Sequence, residues 1–177
     1  MHERILVAGS GGQGIILMGK ILAAVAVPTV PHVTFFPAYG AEVRGGTSNG
    51  QIVLSSEPIS SPVCERFDAQ LIMNQASADL FLPVLDEGGL AVLNASMCLT
   101  PETPDAVCVP ASEMAQELGD IRAANFVMLG AFLARRPMVP PQDMEKQIAS
   151  VFGRKGTSLI DLNTRAFRAG MAAVTNP

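Results

Sequence analysis

Apolar residues recur along the chain in short, nearly continuous runs, separated by glycine, proline and polar residues. Runs of this length are typical of β-strands that are buried on both faces of a sheet. They predict six strands, at residues 4–8, 33–37, 51–55, 69–73, 89–94 and 106–109.

Longer stretches with a helical period lie between several of these strands and continue after the last one. They predict helices at 14–26, 77–85 and 111–118, and then a helical tail at 123–135, 142–152 and 159–173. Strands that alternate with helices indicate an α/β fold with a doubly wound, mostly parallel, Rossmann-like sheet. The first helix is apolar on almost every side, so we expect it to lie between the sheet and either the tail helices or a neighbouring subunit.

The composition indicates a single domain, residues 1–177, with unusually little charge. Charged residues make up 16% of the chain and apolar residues 49%, whereas about 25% charged residues is ordinary for a soluble domain. Two interpretations stay open: a domain with a well-buried sheet, or one whose exterior is partly covered by other subunits.

The charge balance argues against nucleic acid as a partner. The net charge is −4 and the only stacking aromatics are phenylalanine and one tyrosine, whereas phosphate backbones require basic surfaces. The charge is also uneven, with nine acidic and no basic residues in 67–121, then eight basic and three acidic residues in 122–177. This imbalance is explained either by solvated helix faces or by an acidic protein or phosphorylated ligand that meets the tail.

Three cysteines, Cys64, Cys98 and Cys108, form no C-x-x-C pair and have no histidine at ligand spacing. We therefore expect no metal site and no iron–sulfur cluster in this chain. An odd number of cysteines without a preceding leader segment predicts a cytoplasmic protein. No apolar stretch is long enough to predict a membrane-spanning helix.

The first predicted strand runs directly into a glycine-rich turn and then into the first helix. The turn consists of Gly9, Ser10, Gly11, Gly12, Gln13 and Gly14, which fits the G-x-G-x-x-G spacing of dinucleotide-binding turns. The free amides at the start of a helix attract anions, and glycine allows a phosphate to approach them. The turn is therefore a candidate phosphate site, although the same glycines would also serve a tight turn and close packing.

One expected feature of nicotinamide binding is missing. The second strand of such a unit ends in a carboxylate that holds the ribose hydroxyls. Here that strand, 33–37, runs into Ala38 and Tyr39, and the nearest carboxylate is Glu42, beyond the strand end. The sequence therefore argues against an NAD enzyme.

A second glycine-containing segment, 37–50, connects the second and third predicted strands. A connection of this length within a small domain is usually functional or flexible. Arg44 lies beside Gly45 and Gly46, where its guanidinium can clamp a carboxylate or phosphate, or pair with Glu42 or Glu65 to hold the segment. The polar residues Thr47, Ser48 and Asn49 can contact a ligand or stabilise a turn.

Both glycine segments together resemble the gamma subunit of the 2-oxoacid:ferredoxin oxidoreductases, which single-chain pyruvate:ferredoxin oxidoreductases carry as an internal domain. The resemblance rests first on Gly9–Gly14 and on the run from Tyr39 to Asn49. It continues, in order, through 71–74, 87–89, 109–111 and 125–130. The chain departs from the family at Ser48 and Gly50, where alanine and cysteine are common.

The resemblance implies a multisubunit enzyme that oxidatively decarboxylates a 2-oxoacid, reduces ferredoxin and forms an acyl-coenzyme A. Thiamine diphosphate, magnesium and iron–sulfur clusters would lie in partners: alpha and beta (thiamine-binding) subunits and a ferredoxin-like cluster subunit. This chain would close the active site and contact coenzyme A. No catalytic residue is assigned to it. The candidate residues for that contact are Gly9, Ser10, Gly11, Gly12, Gln13, Gly14, Tyr39, Glu42, Arg44, Gly45, Gly46, Thr47, Ser48 and Asn49.

The substrate is left open between pyruvate, 2-oxoglutarate, branched-chain oxoacids and arylpyruvates, with 2-oxoglutarate or pyruvate favoured by the resemblance of 36–40. An isolated copy is expected to pair with itself through the apolar surface meant for partners. Two other functions stay as alternatives: a free-standing dinucleotide-binding oxidoreductase and a non-catalytic interaction module.

Overall fold

The structure, a computed structural model, describes residues 2–38, 47–99 and 106–175. In these ranges the strands are β1 (His2–Ser10), β2 (His32–Ala38), β3 (Thr47–Ser55), β4 (Phe67–Ile72), β5 (Leu85–Asn94) and β6 (Val107–Val109). The helices are α1 (Ile15–Ala26), α2 (Gln75–Phe81), α3 (Ala111–Glu117), α4 (Ala124–Arg135), α5 (Pro141–Phe152) and α6 (Thr157–Thr175), with short 3₁₀ helices at Leu82–Val84 and Ile121–Ala123.

The strands form one sheet in the order β2-β3-β1-β4-β5-β6. β1, β4, β5 and β6 are parallel to one another, and β3 is antiparallel to both of its neighbours, β1 and β2. β2 therefore runs in the same direction as β1, and only β3 is reversed. The expected mostly parallel, doubly wound α/β fold with a helical tail is confirmed.

The reversal of β3 follows from the short connection that precedes it. Only residues 39–46 separate β2 from β3, and a parallel crossover takes about a dozen residues or more. The chain must therefore return antiparallel to β2, and it does so between β2 and β1. The strand predicted at 51–55 begins earlier than expected, at Thr47, because β1 and β2 supply backbone partners on both sides from that residue onward.

The two faces of the sheet are covered very unequally. The main core lies on one face, where the side chains of α1, α3, α4, α5 and α6 pack against alternate strand residues such as Ile5 and Val7. The opposite face is covered by α2, the 3₁₀ segment after it and the chain around Cys64, over residues such as Leu6 and Ala8. The apolar α1 lies between the sheet and the tail, with α5 against its outer side, as one of the two sequence interpretations predicts.

α2 is shorter than the predicted helix 77–85, because Pro83 cannot donate the next helical hydrogen bond. The chain passes through a 3₁₀ turn instead and enters β5 at Leu85. β5 is longer than the predicted 89–94 but irregular, since Phe67 is paired with Leu85 and Ala69 with Leu90. The residues in between bulge outward around Gly88, which has a φ of 72°.

An ion-pair cluster joins the strands at the amino edge of the sheet. Arg4 on β1 donates to the carboxylates of Asp68 on β4 and Asp86 on β5, and Arg66 also donates to Asp86. The hydrogen bonds from Arg4 hold the pKa of the Asp68 carboxyl below its usual value. This edge is therefore tied together electrostatically, and it lies opposite the edge where the glycine turn is found.

The tail is held by a close crossing of α4 and α6 that depends on two glycines. A Cβ placed on Gly130 would overlap the backbone carbonyl of Phe167, and one on Gly170 would overlap that of Val127. The two helix backbones are thus in direct contact, and no side chain fits between them.

We expect Gly170→Ala to lower the free energy of unfolding by about 2 kcal/mol, because the overlap with Val127 forces α6 away from α4 and outweighs the better helix propensity of alanine. Urea unfolding followed by circular dichroism measures the change. Ala173→Leu enlarges an exposed side chain of the same helix and serves as the control. Equal stability of Gly170→Ala and the parent would contradict the crossing.

Candidate functional site

The first glycine segment and the described end of the second, residues 47–50, meet at the carboxyl edge of the sheet. β1 ends in Gly9 and Ser10, and the register of the β1–β3 pair places Ser48 opposite Gly9 and Thr47 opposite Ser10. Asn49 pairs with Ala8 of β1 and with Ala38, the last residue of β2. The backbone ladder therefore brings Thr47, Ser48 and Asn49 next to the start of the glycine turn.

These three residues are part of β3 and not of a loop, which corrects the expectation for 37–50. Thr47 and Asn49 are buried, and the Thr47 hydroxyl has no hydrogen-bond partner among the described residues. Of the other candidates in this segment, Tyr39, Glu42, Arg44, Gly45 and Gly46 lie outside the described residues.

The Gln13 side chain stabilises the glycine turn by hydrogen bonds inside it. Its side-chain oxygen accepts hydrogen bonds from the Ser10 amide at 2.7 Å and from Asn74 Nδ2 at 3.1 Å. Its side-chain nitrogen is 3.4 Å from the Met73 carbonyl and 3.3 Å from the Met97 sulfur. The Ser10 amide is therefore already occupied and is not available to an anion.

The turn ends at Gly14, the residue that precedes α1. Gly14 has a φ of 72° and Gly12 a φ of 88°, conformations that favour glycine. No side chain caps α1 at Gly14, and no acidic residue lies in its first turn. The amino end of α1 therefore keeps its partial positive charge, and the phosphate site expected at this turn stays a prediction.

Asn125, in the first turn of α4, connects the tail to the glycine turn. Its Nδ2 is 3.4 Å from the Gly14 carbonyl and only 2.5 Å from the point where a Gly14 Cβ would lie. The residue is only 2% exposed, and its buried side-chain oxygen has no hydrogen-bond partner within the part of the chain that the structure describes. A side chain at position 14 would thus strain the backbone and displace Asn125.

An open cleft of about 340 Å³ lies between the glycine turn and the tail helices. One wall is formed by Gly12, Gly14 and the first turn of α1, and the other by the chain from Asp120 to Phe126 and by the region where α5 passes into α6. Its lining residues are Gly12, Gly14, Leu17, Asp120, Arg122, Ala123, Asn125, Phe126, Phe152, Lys155, Leu159, Leu162 and Asn163. The cleft is mostly apolar with cationic side chains among its lining residues.

Buried amides that sequence reasoning missed connect the turn to the neighbouring strands. Asn74 follows β4, donates to the Ser10 hydroxyl and caps α2 through Ser77. Asn94, at the end of β5, donates to the Met73 carbonyl at 3.3 Å and to the Ser112 hydroxyl at 2.8 Å. The available signal was a polar residue at the carboxyl end of the predicted strands 69–73 and 89–94, which is where α/β folds place their sites.

The cysteines are not arranged as reactive thiolates. Burial raises the pKa of the Cys64, Cys98 and Cys108 thiols, and it raises that of Cys98 to about 11. A thiol is a good ligand or nucleophile only when it ionises near neutral pH. Within residues 2–38, 47–99 and 106–175, no cluster of three metal-binding side chains is present, and no helix in those ranges is long and apolar enough to cross a bilayer.

Comparison with known proteins places this arrangement in a family. Residues 4–173 match the family described as pyruvate ferredoxin/flavodoxin oxidoreductase, so the chain belongs to that family. The resemblance to gamma subunits of 2-oxoacid:ferredoxin oxidoreductases that both glycine motifs predict is confirmed. The matched relatives are themselves oxidoreductase subunits.

Two curated relatives differ in how much of their length the chain covers. The ketoisovalerate oxidoreductase subunit VorA of Methanothermobacter thermautotrophicus is 36% identical over 94% of this chain, which spans only 35% of that subunit. The 2-oxoglutarate synthase subunit KorC of Methanocaldococcus jannaschii is 33% identical over 96% of this chain and 92% of its own length. A region similar to this chain thus makes up nearly all of KorC but only about a third of VorA.

Solved structures show the same fold. The gamma subunit of a keto/oxoacid ferredoxin oxidoreductase from Geobacter sulfurreducens is 28% identical, with a TM-score of 0.82 and 99% of both chains covered. The 2-oxoglutarate:ferredoxin oxidoreductase from Magnetococcus marinus, solved with 2-oxoglutarate, coenzyme A and succinyl-CoA bound, is 27% identical with a TM-score of 0.85. The match spans 99% of this chain and 31% of that one.

We expect Gly14→Ala to lower the free energy of unfolding by about 2–3 kcal/mol, because alanine is strained at positive φ and its Cβ collides with Asn125. In the background of Asn125→Ala, the same change should cost about 1 kcal/mol, since only the backbone strain is left. The four proteins of this cycle are compared by urea unfolding. Gly11→Ala, where a Cβ meets open space, is the control, and additive effects would exclude the contact.

Proposed function

We propose that this chain acts as the gamma-type component of a 2-oxoacid:ferredoxin oxidoreductase. In that reaction the bond between the oxo carbon and the carboxylate breaks and carbon dioxide leaves. The acyl carbon is oxidised to the thioester of coenzyme A, the thiol loses its proton, and two electrons pass one at a time to ferredoxin. Thiamine diphosphate, magnesium and the clusters belong to partner subunits, and this chain is not itself a catalyst.

The observation that carries the proposal is the convergence of both family motifs at one edge of the sheet. The β1–β3 register joins Ser10 to Thr47 and Gly9 to Ser48, so the two motifs work as one surface. In α/β folds the carboxyl edge of the parallel strands is where ligands bind. The position and chemistry of this surface suit a component that closes an active site.

Coenzyme A is the ligand that this surface suits best. Its phosphates are compatible with the uncapped amino end of α1 beside Gly11, Gly12 and Gly14, and with the guanidinium of Arg44. Gln13 accepts a hydrogen bond from the Ser10 amide, so in this proposal it supports the shape of the turn. Among 2-oxoacids we favour 2-oxoglutarate or pyruvate, in keeping with relatives such as KorC.

The low charge of the chain agrees with a component of a larger assembly. Apolar side chains such as Met97, Leu99 and Ile121 are 48–77% exposed. Met97 and Ile121 line a second, smaller hollow beside Gln13 at the carboxyl edge. Exposed apolar groups around a motif surface are typical of a site that a partner covers.

The proposal is tested by assembling the chain with thiamine-binding and cluster-bearing subunits from the same organism, and by measuring ferredoxin reduction with several 2-oxoacids. Reduction that requires the 2-oxoacid, coenzyme A and this chain supports it. If the chain alone oxidises or reduces a nicotinamide substrate, this proposal is wrong and the free-standing oxidoreductase is the correct function.

In the active assembly, we expect Arg44→Ala to raise the KM for coenzyme A or the 2-oxoacid by about tenfold with a smaller change in kcat, because it removes a charged hydrogen-bond donor to the bound anion. Arg168→Ala is the control, since Arg168 is exposed on α6 and pairs with Glu145. Unchanged kinetics of Arg44→Ala would remove Arg44 from the site.

A further inference from the structure

We propose that Met97 is a reversible oxidation site whose state is transmitted to the glycine turn through Gln13. The oxidant is a peroxide, which transfers one oxygen atom to the thioether sulfur. The S–O bond forms as the O–O bond breaks, the sulfur loses two electrons, and with hydrogen peroxide the leaving hydroxide takes up a proton and departs as water. Methionine sulfoxide reductases return the sulfoxide to the thioether with two electrons from thiols.

Met97 is the exposed methionine within residues 2–38, 47–99 and 106–175, with 48% of its surface accessible. The other methionines in these ranges are buried, such as Met73 and Met144, or half-buried, such as Met138. A thioether reacts with a peroxide without first losing a proton, so its rate depends on access to the sulfur. The cysteines are poorer targets at neutral pH, because burial raises the pKa of their thiols.

The backbone on both sides of Met97 is anchored in the turn that follows β5. The Met97 and Cys98 amides both donate to the Asn94 carbonyl at 2.9 Å. The Leu99 amide donates to the Gln75 side chain at 2.7 Å, and the Cys98 side chain is buried. An oxygen added to the sulfur is therefore accommodated by movement of side chains and not by withdrawal of the turn.

The Met97 sulfur is in direct contact with the side chain that stabilises the glycine turn. Gln13 Nε2 lies 3.3 Å from this sulfur and 3.4 Å from the Met73 carbonyl. A thioether sulfur is a weak acceptor, whereas the sulfoxide oxygen is a strong one, so oxidation draws Nε2 away from Met73. The oxygen of the same planar carboxamide accepts hydrogen bonds from the Ser10 amide and from Asn74. The oxidation of Met97 is therefore felt at the Ser10 amide.

A sulfoxide also changes the surface beside the turn. Met97 lines a mostly apolar hollow of about 240 Å³ together with Gly12, Gln13 and Ile121. A polar oxygen in this hollow is left without a hydrogen bond when apolar surface covers it, which is costly. Oxidation therefore weakens a contact made over the hollow. This consequence rests on the proposed function, in which a partner subunit covers the surface, whereas the oxidation site itself does not.

The site is tested on the full chain, treated with hydrogen peroxide, cleared of peroxide with catalase and then incubated with dithiothreitol, which reverses the oxidation of thiols to disulfides. Peptide mass spectrometry follows the gain of one oxygen atom. We expect Met97 to be oxidised at least about tenfold faster than Met73 and Met144, because its sulfur is accessible. Met138→Leu is the matched control and should leave the rate at Met97 unchanged. Oxidation of Met73 or Met144 as fast as Met97 would overturn the proposal.

Transmission to the turn is measured by proton–nitrogen correlation spectra of the chain before and after the same treatment. We expect the side-chain amide of Gln13 and the backbone amide of Ser10 to shift, and to return after incubation with methionine sulfoxide reductases. Met97→Leu keeps an apolar side chain of similar volume without the sulfur, so the treatment should leave both resonances in place. Unshifted resonances in the parent, or equal shifts in Met97→Leu, would overturn the transmission through Gln13.

The effect on assembly is tested with a chain that is oxidised first and freed of peroxide, so that the partner subunits never meet the oxidant. We expect the oxidised chain to be needed at an about tenfold higher concentration for half-maximal ferredoxin reduction. Treated and untreated Met97→Leu should be needed at equal concentrations. Equal requirements for the oxidised and unoxidised parent would overturn the effect on assembly. If the unoxidised parent supports no reduction either, the proposed function fails, while the mass spectrometry and the spectra still decide the oxidation site.

Discussion

The arrangement of the site depends on one constraint, the insertion of β3 antiparallel between β1 and β2. The eight residues before β3 are too few for a parallel crossover, so the strand must return along β2. Its first residues, Thr47 and Ser48, then hydrogen-bond beside Ser10 and Gly9. Ser10 and Thr47, which are 37 positions apart in the sequence, become neighbours through the backbone ladder.

Side chains of this chain already occupy some of the hydrogen-bonding groups of the glycine turn, so only its other groups are available to a ligand. Gln13 occupies the Ser10 amide, and Asn74 and Asn94 continue the hydrogen bonds to the ends of β4 and β5. This network fixes the turn relative to the parallel strands. It leaves the start of α1 without a side-chain cap at Gly14, so the amides of that first turn keep their partial positive charge.

The sequence predicted the fold well because its signals were local: short apolar runs for buried strands and helical periods between them. It missed the early start of β3 because Thr47, Ser48 and Asn49 are polar, and their strand conformation comes from partners on both sides. It missed the role of Asn125 for a similar reason. A buried amide is recognised only when its distant partner, here Gly14, is known, and no pattern in a single helix carries that information.

The helices that cover one face of the sheet also set the position of the cleft. Five helices bury one face around α1, and the α4–α6 crossing at Gly130 and Gly170 fixes the tail against it. Because Asn125 belongs to α4, that crossing also sets the position of the cleft wall relative to the turn. The packing of the tail thus affects the candidate site, since any shift of α4 moves Asn125, whose side chain contacts Gly14.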